Sequence, residues 1–345
     1  MDMLPVDVIV FSRERQDRLT KSLKLWSVQP FSFIILDNSE NPLEIEFAKN
    51  INYVHLPGQN FGNRANKSIH FLNNPYAIIC SDDESLIPFS IHRMINFLEM
   101  NRNFTSAGGR VIGAYKYGPR LTGALAYSYM DGYLNRSKDI NVRLRKHLTL
   151  DFEGHKPIGG MYRLYRKEGM VKLLESFYFA RNIQTPYIFE ILGEIVSTSL
   201  GSTSSLDNVY WIRNWHDGMS SHPDWNRNKT FSSWWTNTLN QKEKIELINW
   251  ICKTFTINFI LLSKLLDEFI EKLIPLDDKI EHSNFKKSKN VALNHGFNSL
   301  KFIVKVLLGS NKIPKSLEVV LAEELMPTSS EEIHQVVNCA KAMIV

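Results

Sequence analysis

Cysteine is scarce in this chain: Cys80, Cys252 and Cys339 are the three in 345 residues, and no Cys-x-x-Cys pair occurs. That argues against a disulfide framework and for a reducing compartment, with the cytoplasm as the expected location. Long apolar runs are missing too. The most apolar C-terminal stretch, Trp250 to Leu266, is interrupted by Lys253, Thr254, Thr256, Asn258, Ser263 and Lys264, so it suits a core helix better than a membrane span. No internal repeat or low-complexity tract is present. The N-terminus enters an apolar strand within a few residues, and no targeting segment is expected there. Neither sign of charge dominates. A net charge of +5 suits a protein that handles phosphate esters or sits near anionic lipid, and nucleic acid is not among the expected partners.

What the chain does contain, over its first hundred residues, is alternation of short apolar runs with helical patterns, the mark of a parallel α/β sheet. Asp7 to Phe11 reads as the first strand, and Leu19, Leu23 and Trp26 share one face of the helix after it. Phe33 to Leu36, Ile51 to His55 and Ala77 to Cys80 are the next three strands, with a helix over Gly62 to Leu72. Residues Tyr115 to Tyr133 read as turn-rich, between a strand at Thr105 to Gly113 and another at Met161 to Tyr165. A helix opens at Pro186 and runs to about Leu200, and Leu206 to Arg213 is a return strand. After a segment rich in tryptophan (Trp215, Trp225, Trp234, Trp235) the chain turns helical to its end. The expected division is a sheet domain over 1–240 and a helical region over 241–345.

Ligands of open α/β sheets bind beyond the carboxyl ends of the strands, so Ser12-Arg13, Asp37-Asn38-Ser39, Gly58 to Arg64 and Asp82 to Glu84 are expected to converge on one crevice. Asp82-Asp83-Glu84 is the sharpest signal. Three consecutive carboxylates follow a buried strand, and each like charge raises the cost of the next unless a cation neutralises them; a divalent metal is the natural one. A solvated acidic turn capping the helix that starts near Pro88 is the other reading.

In order along the chain, four segments resemble the GT-A-type nucleotide-sugar glycosyltransferases, in particular the family 2-like bacterial enzymes. Val8 to Arg13 resembles the opening strand and turn that hold the nucleotide base, and Ile35 to Ser39 resembles the second strand with its base-contacting Asp. Asn60-Phe61-Gly62-Asn63-Arg64-Ala65-Asn66-Lys67-Ser68-Ile69 looks like the N-x-G-x-x-x-A-x-N-x-x-I segment, one residue short before the Ala. Asp82 to Pro88 looks like the metal-binding D-x-D with its Leu-x-Pro, except that the first Asp falls on Ser81. The narrower resemblance is to glycosyltransferase-domain proteins of bacterial surface polysaccharide synthesis.

The resemblance implies a Rossmann-like, mainly parallel sheet flanked by helices, followed by the helical C-terminal region. It implies Mn2+ or Mg2+ on Asp83 and Glu84, with Asp82 close by and with His216 and His222 as candidate third ligands or phosphate contacts. Ser12, Arg13, Arg15, Asp37, Asn60, Gly62, Arg64 and Asp82 are the expected donor contacts. Asp37-Asn38-Ser39 also reads as a plain Asx-type turn. For an inverting transfer the base is a carboxylate early in a helix: Glu190 stands eleven residues before Gly201, with Phe189 in place of a preceding acid, and Glu194 is the rival one turn on. The implied partners are a nucleotide-sugar donor and a glycan or lipid-linked acceptor. Lys286, Lys287 and Lys289 suggest peripheral contact with the inner membrane. Two alternatives stand beside this reading. One is a nucleotidyltransferase, which usually carries a Gly-rich loop after strand one where this chain has Ser12-Arg13-Glu14-Arg15. The other is an inactive sugar-nucleotide-binding or scaffold protein, kept open by Ser81 and Phe189.

Overall fold

A computed structural model describes residues 2–117, 119–126, 132–148, 159–183, 185, 187–215, 231–271, 316–324 and 330–344. The first apolar run forms β1 (Val6–Ser12), buried along almost all its length because helices cover both faces. Helix α1 (Gln16–Trp26) turns Leu19, Leu23 and Trp26 inward, and β2 (Ser32–Asp37) and β3 (Ile51–His55) follow. Asn60 caps α2 (Phe61–Ile69) by accepting the Asn63 N–H at 2.9 Å. With β4 (Tyr76–Ser81) these strands make a parallel block in the order β3-β2-β1-β4.

Beyond β4 the chain forms β5 (Ser85–Leu86), α3 (Pro88–Met100), β6 (Phe104–Tyr117), β7 (Arg120–Ala126), β8 (Leu134–Asn135) and α4 (Ile140–Leu148). Then come β9 (Leu164–Arg166), α5 (Lys167–Phe179), α6 (Tyr187–Leu200) and β10 (Ser202–Asn214). The sheet order is β3-β2-β1-β4-β9-β6-β10-β5, with β7 added on β6 and β8 on β10. β6 and β10 run parallel, while the short β5, β8 and β9 and the longer β7 pair antiparallel. The fold is therefore the expected mixed, mainly parallel sheet flanked by helices.

Three details differ from expectation. The stretch taken as turn-rich contains β7, whose burial does not alternate and whose Gly123 interrupts the strand pattern. The strand expected at Met161 to Tyr165 starts only at Leu164, after a turn. The apolar stretch from Trp250 is two helices: α8 (Gln241–Phe255) stops at Thr256, which adopts the left-handed conformation at φ 56°, and a second helix covers 259–271.

One face of the sheet is covered by α2, α5 and α6 together with α8 and the 259–271 helix, through Leu247, Ile248, Leu262, Leu265 and Phe269. α1 and α3 cover the other. A third buried cluster joins Ile87, Ile112, Val209 and Ile212 to Leu317 and Leu321 of helix Leu317–Glu324 and to Val336, Val337, Ala340 and Met343 of helix Ser330–Ile344. Residues after 241 thus divide between two parts of the sheet. Trp234 and Trp235, in α7 (Phe231–Thr236), are buried, and the Trp235 indole N–H donates to Asp267 at 2.8 Å, so this pair staples helices to the core. Trp225, His216, His222, Lys286, Lys287 and Lys289 lie outside the described residues. Among the described residues no helix is long and apolar enough to cross a membrane.

Gly62 shows how tightly the site's scaffold is assembled. A Cβ there would lie 2.5 Å from the Phe177 carbonyl oxygen and 2.6 Å from Arg181 Cβ, so α2 can pack on α5 only with glycine at this position. Gly62→Ala is expected to cost about 1–3 kcal/mol in chemical denaturation, the range of a forced overpacking, whereas Asn63→Ala in the same helix should cost less than half as much.

Candidate active site at the strand ends

Parallel register brings the carboxyl ends together: Ser12 pairs with Asp37 and Phe11 with Ser81. The turn after β1 is sharpened by Glu14, a non-glycine residue at φ 52°, a conformation L-residues adopt only when neighbours hold them there. Two bonds do so. The Glu14 N–H donates to Ser39 Oγ at 2.8 Å, and Glu14 Oε1 accepts the Glu40 N–H at 2.8 Å.

This turn aims Arg15 at the acidic cluster. Its guanidinium donates to Asp82 Oδ1 at 2.5 Å and also to Asp83 Oδ2, which accepts from Arg18 of α1 at 3.1 Å. Ser12 Oγ donates to Asp82 Oδ2 at 2.9 Å. From β10, Arg213 Nε donates to Glu84 Oε1 at 2.7 Å. Three carboxylates therefore meet three guanidinium groups. Asp82 and Glu84 are 2 % and 3 % exposed, and burial pushes both up to about 6 against the pull of Arg15 and Arg213. Asp83 is the more accessible, its side chain 13 % exposed.

Among the described residues no group of three His, Cys, Asp or Glu side chains is placed to hold an ion by itself. The donor set still fits one kind of metal. Magnesium and manganese accept one or two carboxylates and take their other ligands from water and substrate phosphate, and Asp83 with Asp82 and Glu84 offers only oxygen. His216 lies outside the described residues.

Other expected donor contacts serve the scaffold. Arg64 is buried and its Nη1 donates to the carbonyls of Ser12 at 2.7 Å and Leu36 at 2.8 Å, clamping the ends of β1 and β2; burial lowers its pKa to about 10. Asp37 is buried with Oδ1 accepting from the Ser39 N–H at 3.0 Å and Ser39 Oγ at 2.6 Å, while Oδ2 accepts from Tyr53 at 2.6 Å. That is the Asx-type turn, held from a neighbouring strand. Asn60 and Gly62 act in the capping and packing of α2. Arg13 is exposed in the turn after β1.

Helix α6 carries both candidate bases, and they differ in their surroundings. Glu194 is 1 % exposed and accepts His147 Nε2, the Gly159 N–H and the Gly160 N–H, each at 2.7 Å. Burial raises its pKa, but the His147 hydrogen bond and the two amides outweigh burial and hold it below the ordinary value. His147 Nδ1 in turn meets Tyr133 Oη at 2.7 Å, and Tyr133 Oη accepts from Asn135 at 3.1 Å. Glu194 is thus the end of a buried polar chain that fixes α6 to the Gly159-Gly160 turn. Glu190 is only half-buried, in the first turn of α6, where the helix dipole favours the ionised carboxylate. Phe189, in the place of a second acid, faces the core between Phe61 and Phe177, at centroid distances of 4.6 and 5.6 Å.

Tyr162 links the two sides. It stacks on Trp211 at 4.6 Å, and after burial the charges of Glu190 and Glu84 push its hydroxyl well above the usual value, so one phenol feels both carboxylates. Sequence reasoning missed Tyr162, Trp211, Arg18 and Arg213. The signal available was their place beside the strand ends: Arg18 is one turn beyond Arg15 in α1, and Arg213 closes the return strand.

No protein-family model matches the chain, and no curated protein matches it. Among solved structures it is similar to TarS of S. aureus, at 13% identity and a TM-score of 0.47, over 79% of this chain and 43% of that one. The chain thus spans less than half of that protein's length. It is also similar to TarS 1-349 in complex with UDP-GlcNAc, at 12% identity and a TM-score of 0.49, over 99% of this chain and 91% of that one.

The contrast between the two glutamates is testable through stability. A carboxylate whose folded pKa is lowered stabilises the fold above its unfolded pKa, near 4.5, and loses that contribution as the pH falls through the folded value. Glu194→Gln should therefore lower stability at pH 7 by on the order of 2 kcal/mol, with the gap to the parent closing below about pH 4.5 in thermal unfolding. Glu190→Gln, at a half-buried position, should cost less at pH 7 than Glu194→Gln.

Proposed function

We propose that this chain is a glycosyltransferase that moves a sugar, with inversion, from a nucleotide-sugar donor to a glycan or lipid-linked acceptor. Its proposed place is the cytoplasm, in peripheral contact with the inner membrane, in surface polysaccharide synthesis. The observation that carries the proposal is the meeting, around Tyr162, of an acidic strand end lined by arginine with a half-buried carboxylate at a helix N-terminus. Leaving-group stabilisation and a base for the acceptor hydroxyl are the two requirements of sugar transfer, and here a carboxylate from each candidate group acts on the same phenol.

Asp83, with Asp82 and Glu84 behind it, is the residue proposed to hold Mn2+ or Mg2+, an ion that when bound neutralises charge on a departing diphosphate. Arg15 and Arg18, half-buried beside Asp83, are the cations of this chain placed to share that charge. Glu190 takes the proton of the acceptor hydroxyl as its oxygen bonds to the anomeric carbon, while the bond from that carbon to the diphosphate breaks and the electron pair leaves with phosphate. Ionisation of Glu190 at neutral pH is favoured by its place in the first turn of α6.

A second reading, a protein that binds a nucleotide sugar without turning it over, draws on one observation. Arg15 already bridges Asp82 and Asp83, so the cluster is balanced without an added ion.

Thermal shift with UDP-, GDP-, CMP- and dTDP-sugars, with and without Mn2+, tests both readings, because a ligand bound only by the native state raises its melting temperature. The expected result is a shift with one nucleotide class that needs the ion and disappears in Asp83→Ala. An ion-independent shift unchanged in that variant would remove the metal assignment. Glu190→Gln is expected to lower turnover at least about a hundredfold with donor affinity unchanged, and near-parent turnover would exclude Glu190 as the base. A parent that binds the sugar nucleotide but neither transfers nor hydrolyses it would establish the second reading.

A further inference from the structure

The C-terminal helix Ser330–Ile344 makes polar contacts with α3, which follows the acidic cluster, and with β10, which carries Arg213. Glu332 is fully buried, and its Oε1 accepts the Val209 N–H at 2.8 Å and the Ser90 hydroxyl at 3.4 Å. Val209 stands where the β10–β6 register breaks, shifting between Ser205 and Val209 and again between Val209 and Trp211. An amide beside such a bulge tends to lose its ladder partner, and a buried amide without one is costly. Gln335 Oε1 accepts the Phe89 N–H at 3.2 Å, in the first turn of α3, whose N-cap residue Ile87 has no side-chain acceptor. Gln29 reaches the same place from beyond α1, donating to Ser85 Oγ at 3.0 Å and the Leu86 carbonyl at 3.1 Å, and it lies 3.8 Å from Cys339 Sγ.

One short element and its two neighbours receive these contacts: β5 from Gln29, α3 from Glu332 and Gln335, and β10 from Glu332. β5 begins at the residue after Glu84 and pairs with β10 at Trp211 and Ile212, immediately before Arg213. The Ile87 N–H donates to the Tyr210 carbonyl at 2.9 Å. A two-residue strand cannot set its own position. We propose that Glu332, assisted by Gln335, is a positioning residue: it locks α3 onto β10, and so the adjoining β5 between them, and thereby sets the Glu84–Arg213 pair and the aim of Asp82 and Asp83. The sugar-nucleotide site then depends on a residue about 250 positions away in sequence, on a helix that contributes nothing to the crevice itself. Its consequence for nucleotide affinity rests on the function proposed above; its structural content does not.

Amide hydrogen exchange on the full, ligand-free chain gives the direct test, since local opening is read segment by segment. Glu332→Ala is expected to speed exchange across 84–90 and 209–213 about fivefold to tenfold, the equivalent of one lost buried or capping hydrogen bond. Glu332→Gln, which keeps an acceptor oxygen, should restore most of the protection. Met343→Ala, which injures the same helix in its apolar contacts, should loosen the helix without singling out those two segments. Gln335→Ala gives a smaller local effect confined to 87–91 and stands in if Glu332→Ala does not fold. Titration with UDP, GDP, CMP and dTDP in the presence of Mn2+ should show weaker binding in Glu332→Ala and near-parent binding in Glu332→Gln. Identical exchange patterns in Glu332→Ala and Met343→Ala would overturn the proposal. A parent that binds none of the four nucleotides would count against the proposed function and leave the exchange result to decide this inference.

Discussion

Three adjacent carboxylates at the end of a buried strand cannot remain ionised without cations, and most of the site's architecture follows from how this chain supplies them. Arg15 reaches Asp82 and Asp83 because Glu14 is held in a left-handed turn by Ser39 and Glu40. Arg18 arrives from the first turns of α1, and Arg213 from the last residues of β10. A loop, a helix and a distant strand are thus fixed to one strand end by charge. Removing either partner of a buried pair is far more costly than never having built it, so the arrangement resists piecemeal change. Burial still holds Asp82 and Glu84 up near 6, a sign that desolvation is only partly offset and that further positive charge entering the crevice would be welcome.

The surroundings of α6 are organised by helical periodicity. Successive residues of α6 are separated by about 100° around the axis, which turns Phe189 away from Glu190, whereas Glu194, one turn on, shares the Glu190 face and differs from it by its depth along the helix. Phe189 enters the aromatic cluster with Phe61 and Phe177, Glu190 is half-buried at the helix N-terminus, and Glu194 lies beneath the Gly159-Gly160 turn. The missing second acid is therefore a core residue that seats the N-terminus of α6 against α2 and α5. Both glycines at the crossing are needed for the approach: a Cβ on Gly160 would lie 2.3 Å from the Gly193 carbonyl oxygen, and one on Gly193 2.8 Å from the Met161 nitrogen. With backbones this close, the amides of residues 159 and 160 come within reach of a carboxylate on α6, and Glu194 accepts both.

Much of this was legible in the sequence where the signal is local. The parallel block β1 to β4, the convergence of its carboxyl ends and the helix over 187–200 all follow from periodicity within windows of ten or fifteen residues. Asp37 and Arg64 show the limit. Their residue types and their places, Asp37 at a strand end and Arg64 in the first turn of α2, suggested ligand contacts, yet Tyr53 bonds one and two strand carbonyls bond the other, partners that no local pattern reveals. The acidic cluster is legible, but its arginine partners lie 65 to 129 residues away, beyond what a local pattern can reach. β7 escaped because a strand paired on one edge with its own predecessor needs no continuous apolar run.

Because β5 is two residues long, the step from Glu84 to α3 has little rigidity of its own, and whatever braces it also orients the carboxylates before it. The brace has two sides. Toward the sheet it is β10, through Trp211, Ile212 and the Tyr210 carbonyl; away from it stand Gln29, Gln335 and Glu332. A polar brace is directional in a way that apolar packing is not, since a carboxylate that has lost its amide partner in the interior pays a full desolvation penalty and cannot settle for a near fit. Glu332 illustrates the trade: burial raises its pKa, and the Val209 amide and Arg93 draw it back, so its place is worth holding only in the geometry that keeps both. The same logic explains why the C-terminal helix meets the sheet here and not over β1 and β2. Those strands are already covered on both faces, whereas at the break in β10 the Val209 amide takes Glu332 as its acceptor.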